Sequence, residues 1–188
     1  GGAIAITLGL FVGLPSSLFP KAETPQFLVS IDTPNGSSLA ETDRALRFVE
    51  DRLAAHEEVV SWFSNLGHGN PQVYYNHIVR EDSANYAEVF VQLREYHPRR
   101  TAALLERMRR DLPDHPGAHI SVREFVQGTG VPAPVSIRVL GENLDQLRAL
   151  AHEVNDLIES VPGTRDVSDP LRIPRTNLRL APDRDKAA

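Results

Sequence analysis

The chain has 188 residues, 41% of them hydrophobic and 24% charged, a composition typical of folded globular proteins rather than disordered segments. The formal net charge of -5 argues against nucleic acid as the main partner, because phosphate binding favours a basic surface. The sequence contains no cysteine, which excludes a disulfide framework and a thiolate metal site.

The chain opens on an uncharged hydrophobic run at residues 3–14, and neither Lys nor Arg occurs before Lys21. The run is shorter than the roughly 20 apolar residues of a membrane-spanning helix. A secretory signal peptide would carry a basic region and a small-residue cleavage site, and both are missing. Both ends of the chain read as cuts. We therefore interpret residues 1–20 as the outer end of a transmembrane helix that continues upstream, with a buried core helix as the alternative.

The body of the chain begins with a strand at residues 27–31, where apolar residues alternate with period two. A capping box at residues 38–41 predicts the start of a helix. Strands are predicted at 59–66, 86–93 and 120–126, and Pro98 predicts the start of a helix that reaches residue 112. The predicted apolar stripes are Leu39, Thr42, Leu46, Val49 and Leu53 on the first helix and Leu104, Leu105 and Met108 on the second. The order β-α-β-β-α-β predicts an α+β, ferredoxin-like subdomain.

A glycine- and proline-containing stretch at residues 128–132 marks a boundary. Beyond it we expect a strand at 135–140, a helix capped by Asn143, and strands near 164–167 and 177–180. The stripe of this helix is Leu144, Leu147, Ala151, Val154 and Ile158. Such a partial βαβ subdomain cannot cover both faces of its sheet, so we expect something outside this chain to complete it.

The chain thus contains one unit twice, because the strand–helix–strand pattern of residues 29–63 returns at residues 135–167. We expect the two units to superpose, with both helices on one side of their sheets. Two small α+β units behind a hydrophobic segment point to the external domain of a transporter rather than to a free enzyme.

Several short segments, taken together, are similar to a known family of proteins. The segments are LFP at 18–20, PQFLV at 25–29, PNGSSL at 34–39, SWF at 61–63, GHG at 67–69, SANYA at 83–87, PVSIRVLG at 134–141, VPGTRDV at 161–167 and DRDKA at 183–187. They resemble the second external loop of resistance-nodulation-division (RND) efflux transporters of the AcrB-like, hydrophobe–amphiphile type. Their order and spacing are together more specific than any one motif.

The resemblance implies part of a proton-driven secondary transporter of the bacterial inner membrane, with most of this chain in the periplasm and no cofactor. It implies a homotrimer that works with a periplasmic adaptor (membrane fusion) protein and an outer-membrane channel, and that exports small hydrophobic or amphipathic substrates. Four parts follow from it. They are the end of a transmembrane helix at 1–20, a first porter subdomain at 25–127, the first half of a second at 134–182, and the start of a helix entering the docking or funnel region at 183–188.

The resemblance places function in the loop at residues 65–71, where the family has a flexible glycine-containing loop between substrate pockets. It implies a mobile turn made by Gly67, Gly69 and Asn70. The implied substrate-binding residues are Phe63, Leu66, His68, Tyr74 and Tyr75. The alternative is that Phe63 belongs to the core and the glycines serve a hairpin turn. The loop carries His68 and Asn70 where well-known multidrug members have further phenylalanines, which departs from a strongly aromatic pocket.

The sequence gives little support for a metal site or for an enzyme active site. His115 and His119 have helical metal-ligand spacing, but Pro113, Pro116 and Gly117 break any helix there, so we expect no metal site. Heavy-metal members of the family use methionines, and this chain has one methionine, on a predicted inward helix face. No Gly-rich phosphate loop, G-x-S-x-G or H-E-x-x-H motif occurs, so we expect no catalytic residues.

Three alternatives stay open on the sequence. One is an exporter of lipids, or a secretion-coupled member, of the same superfamily. Another is a free ferredoxin-like module that binds a regulatory ligand, and the third is an unrecognised enzyme. The hydrophobic start favours the pump over the free module.

Overall fold

The computed structural model describes residues 20–112, 115–128, 135–164 and 167. Its elements are β1 (Gln26–Asp32), α1 (Leu39–Ala54), β2 (Val59–Leu66), β3 (Tyr86–Leu93), α2 (Pro98–Asp111), β4 (His119–Glu124) and α3 (Leu144–Glu159). The four strands form one antiparallel sheet in the order β2-β3-β1-β4. The predicted α+β, ferredoxin-like arrangement is therefore confirmed for the first unit.

Side-chain caps explain where the helices begin. Ser38 and Glu41 form the predicted capping box at α1, and the hydrogen bonds from Ser38 lower the pKa of the Glu41 carboxyl. His97 caps α2 by accepting from the Arg100 amide, directly before Pro98. The Asn143 side chain accepts from two amides at the start of α3, as expected from the sequence.

One face of the sheet, the helix face, packs against α1 and α2. Its side chains come from every second position of the strands, and they meet the predicted stripes of the two helices. The buried cluster includes Phe27, Val29, Ile31, Val89, Val91, Ile120, Val122, Leu46, Val49, Leu53, Leu104, Leu105 and Met108. The expectation for Leu39 was wrong: its side chain is 49% exposed because it stands at the very start of α1, beyond the edge of the core.

The opposite face of the sheet is here called the second face. It is covered by a stretch of the chain without regular structure, not by a helix. Residues 70–80, here called the cover segment, belong to the long connection between β2 and β3 and contact second-face side chains of β3, β1 and the end of β4. This cover explains why Leu28 and Ser30, which alternate with the core residues of β1, are buried as well.

The two ends of the first unit lie side by side. Lys21 forms an isolated antiparallel bridge with Val126, and backbone hydrogen bonds join Ala22 to Phe125 and Gln127 to Pro20. β4 itself ends at Glu124, two residues before the predicted end. The chain therefore enters and leaves this unit at one place.

The second unit is described in part. α3 begins directly after the predicted cap Asn143, and none of its described side chains is buried. The predicted strand at 135–140 was wrong, since these residues form neither strand nor helix, and the side chains of Val135, Ile137 and Leu140 are exposed. A strand needs a hydrogen-bonded neighbour, and most of the residues expected to supply one lie outside the described part. The hydrophobic start before residue 20, residues 165–166 of the strand expected near 164–167, the strand at 177–180 and the helix start at 183–188 also lie outside the described residues.

The burial contrast within α1 gives a prediction for a fragment of residues 20–128. Leu53→Ala removes a side chain that is 1% exposed, so the free energy of unfolding should fall by about 2–5 kcal/mol. Leu39→Ala is the matched control on the same helix and should change it by about 0.5 kcal/mol. Urea denaturation followed by circular dichroism measures both, and equal losses would contradict the assignment of the core.

Candidate functional site

The glycine turn that follows β2 has a defined geometry. Gly67 has φ +84°, in the left-handed region that favours glycine, its N–H donates to the Tyr86 carbonyl at 2.8 Å and its carbonyl accepts from Ser83. Gly69 donates to the Arg80 carbonyl at 3.0 Å, and a Cβ on Gly69 would lie 2.9 Å from the Arg80 nitrogen. The turn therefore requires glycine at one position for conformation and at the other for close approach.

Asn70 closes this turn and is fully buried. Its amide donates to the Glu88 carboxylate at 2.7 Å, and its side-chain oxygen accepts from the Asn65 side chain. Asn70 thus joins the beginning of the cover segment to the middle of the sheet, and its side chain does not border an open surface.

The other sequence-predicted site residues divide between exposed and packed positions. Phe63 lies on the second face at the edge strand β2 and is 58% exposed, and Tyr75 is 61% exposed. His68 is exposed, with Nδ1 2.8 Å from the carbonyl oxygen of Gly69. Tyr74 is half-buried, and Leu66 packs against the core of the helix face. Of the predicted set, Phe63, His68 and Tyr75 are therefore the most accessible.

Aromatic side chains form a row across the second face. Phe63 is the cross-strand partner of Phe90, and the rings of Phe90 and Phe125 lie 6.3 Å apart between centroids. The row continues from Phe125 to Tyr74 at 4.9 Å and from Tyr74 to Tyr75 at 4.8 Å. The row thus links the exposed edge of β2 to the exposed part of the cover segment.

The cover segment also contacts the chain that leaves the unit. The Tyr75 hydroxyl accepts from the Gly128 amide at 2.6 Å, and the Asn76 side chain donates to the carbonyls of Val126 and Gly128 at 2.9 Å. Tyr75 therefore combines an exposed ring with an anchored hydroxyl.

A buried polar cluster lies beneath the cover segment, around Glu88. Its carboxylate accepts from Asn70 and Tyr86 and lies near His77 and Arg123. Burial, and next the negative charge of Glu88, raise the pKa of the Tyr86 phenol, so the phenol stays protonated and donates. At the far end of the segment Arg80 pairs with Asp32 and lies over the Tyr86 ring.

Sequence reasoning missed this cluster, although a signal was present. Glu88 stands between Ala87 and Val89, in a strand whose other residues are almost all apolar. A charged residue at a central position of such a strand is rarely buried without partners, so it marks a polar contact on that face.

The comparisons with known proteins agree with the fold of a porter-type subdomain of an RND transporter. A sequence model of the AcrB/AcrD/AcrF family matches residues 1–188, and the chain belongs to that family. Two crystal forms of a heavy metal efflux pump share the fold, with TM-scores of 0.63 and 0.59 and 18% sequence identity in each case. The match covers 87% of this chain and 18% of each pump chain, so this chain spans less than a fifth of their length.

Two further findings complete the comparisons. No curated protein matches the chain. Among the helices of the described ranges, none is both long and apolar enough to cross a bilayer.

The close approach at Gly69 predicts a local effect of a single methyl group. Gly69→Ala should cost about 1–3 kcal/mol and expose the Asn70 amide, because the added carbon meets backbone that cannot rotate away. Gly36→Ala is the control, since it also strains a turn, at φ +96°, but its added carbon meets nothing within 4 Å. Hydrogen exchange followed by NMR on residues 20–128 should show faster exchange at Asn70 for the first variant alone.

Proposed function

We propose that this chain supplies the periplasmic porter part of a proton-driven efflux pump in a bacterial inner membrane. The pump is a homotrimer that works with a periplasmic adaptor protein and an outer-membrane channel. The family match over the whole chain supports this reading, and it speaks against a free ligand-binding module. In this proposal the hydrophobic segment before residue 20 lies in the membrane, and the units after it extend into the periplasm.

The substrates in this proposal are hydrophobic or amphipathic compounds, which bind along the second face. The observation that carries the substrate class is the aromatic row, which begins at the exposed ring of Phe63 and ends at that of Tyr75. Exposed aromatic rings offer large apolar contact areas and stacking faces to ligands of many shapes. His68 and the backbone of the glycine turn, which follow the end of β2, add polar groups to this proposed site.

The stretch that follows the glycine turn is the proposed moving part of the site. Gly67 takes a left-handed conformation and Gly69 allows the close approach to Arg80, so the turn directs the chain into residues 71–73, which are exposed between the anchored Asn70 and the half-buried Tyr74. Residues 71–73 border the substrate path and change its width.

Heavy-metal export is the alternative activity, because the two similar structures are of a heavy metal efflux pump. At 18% sequence identity, however, that similarity supports a shared fold only. Soft metals favour thioether ligands, and this chain has a single methionine. That residue, Met108, is 1% exposed inside the core between the helices and the sheet, so its sulfur is packed away from any path. The apolar substrates therefore remain the proposal.

The test compares two aromatic residues that are neighbours in β2 and point to opposite faces. Phe63→Ala in the full-length transporter should lower resistance to large amphipathic compounds about fourfold or more, because it removes the exposed ring at the head of the row. Trp62→Ala is the matched control on the helix face and should leave resistance within about twofold of wild type at equal expression. Minimum inhibitory concentrations in a strain without other efflux pumps measure both.

The same panel should include silver, copper and zinc salts. Equal losses for Phe63→Ala and Trp62→Ala, or no loss for either, would contradict a substrate path along the second face. Protection against the metal salts without protection against amphipathic compounds would contradict the substrate class.

A further inference from the structure

Glu88 is a carboxylate buried in the middle of the sheet, at 1% exposure, on the face that the cover segment closes. Both of its oxygens have donors nearby. Oε2 accepts from the Asn70 amide at 2.7 Å and lies 3.3 Å from Nε2 of His77. Oε1 accepts from the Tyr86 hydroxyl at 2.9 Å and lies 3.5 Å from a guanidinium nitrogen of Arg123.

These four contacts connect different parts of the molecule. Tyr86 and Arg123 belong to strands β3 and β4, whereas Asn70 and His77 belong to the cover segment. Asn70 is at the start of the segment and His77 is near its end, so one side chain meets the segment at two points, by a hydrogen bond at Asn70 and by a close approach at His77. The pair between Arg80 and Asp32 adds a third attachment directly after them.

The polar cluster around Glu88 is expected to contribute little to the stability of the fold. A buried carboxylate loses its hydration, and ion pairs of this kind are often no better for stability than apolar residues of the same size. The Asn70 side-chain nitrogen and His77 Nε2 are also buried without an aligned hydrogen bond inside the described ranges, which costs about 1–3 kcal/mol for each group. The carboxylate does fix the positions of the groups around it, because charged hydrogen bonds are strong and hold their donors in a defined geometry.

We propose that Glu88 is a positioning residue whose negative charge holds the cover segment on the sheet and thereby sets the surface that substrates meet. The segment carries Tyr74 and Tyr75 of the aromatic row, and Tyr75 and Asn76 contact residues 126–128, where the chain leaves the unit. The transport part of this inference rests on the proposed function, whereas the structural part does not.

Charge and shape can be separated at this site. Glu88→Gln keeps the size of the side chain but replaces one acceptor oxygen by an NH2 group, which is a donor. Either Asn70 and His77, or Tyr86 and Arg123, then face a donor instead of an acceptor. Glu88→Asp keeps the charge and shortens the reach. If Glu88 only filled space, Gln would be the milder change, and if its charge positions the segment, Asp is the milder change.

The experiment is hydrogen-exchange mass spectrometry on the purified full-length transporter. For Glu88→Gln we expect exchange of peptides covering residues 68–80 to be about tenfold faster or more, because charged hydrogen bonds are lost. Glu88→Asp should give a smaller increase. Peptides covering β1 should stay protected in both variants, which separates release of the segment from unfolding of the unit.

Glu124→Gln is the matched control. Glu124 is a paired, half-buried glutamate on the helix face of the same sheet, and its partners are Lys21 and Arg109 rather than residues of the cover segment. This variant should leave exchange of residues 68–80 unchanged. Unchanged exchange in Glu88→Gln, or a larger effect for Asp than for Gln, would overturn the inference.

Export kinetics of the same variants complete the test. Glu88→Gln should raise the half-saturating substrate concentration about threefold or more with little change in the maximal rate, since it alters the surface and not the energy source. Faster exchange with unchanged export would overturn the role in transport. Faster exchange in Glu88→Gln together with unchanged drug resistance in Phe63→Ala would instead overturn the proposed function. The attachment of the segment to Glu88 would still be supported.

Discussion

The contact between Glu88 and the cover segment is the interaction on which the candidate site depends. A four-stranded sheet has two faces, and the two helices of this unit can cover only one of them. The second face carries apolar residues such as Leu28 and Phe90 beside charged ones such as Glu88 and Arg123. A segment without regular structure closes this face, and it needs specific attachments because its backbone forms no ladder with the strands. From the centre of the sheet, Glu88 accepts a hydrogen bond from Asn70 at one end of the segment and lies against His77 near its other end.

Local sequence signals were enough to predict the elements of the first unit and their order. Each helix of this unit begins at a side chain that can cap it or at a proline, and each carries a stripe with helical spacing, so the boundaries depend on neighbouring residues alone. The period-two pattern around Phe27 likewise identified a strand and its core face. The turn at Gly67 was also visible, because a glycine between a strand and a polar loop signals a change of backbone direction.

The parts that sequence reasoning did not predict depend on contacts between distant residues. Nothing near Asn70 in the sequence indicates that it is buried, since its partner Glu88 lies in the next strand. Leu39 fits the stripe of α1 but lies beyond the edge of the core, which only the packed structure shows. The strand expected at residues 135–140 has the right local pattern, yet a strand forms only with a neighbour to bond to. In each case the missing information was the position of a second segment.

The arrangement of the ends connects the candidate site to the rest of the protein. Residues 20–22 and 125–127 pair with each other, so the chain from the hydrophobic segment and the chain toward α3 meet at one edge. Tyr75 and Asn76 of the cover segment bind residues 126–128 at that same edge. A displacement of the cover segment must therefore break these bonds or move the departing chain with it. Glu88 contacts Asn70 and His77 of the same segment, so the buried carboxylate and the departing chain both contact one short stretch. The aromatic row is thereby joined to the chain that leaves the unit through the hydrogen bonds of Tyr75 and Asn76, a contiguous network of the kind that can carry coupling between sites.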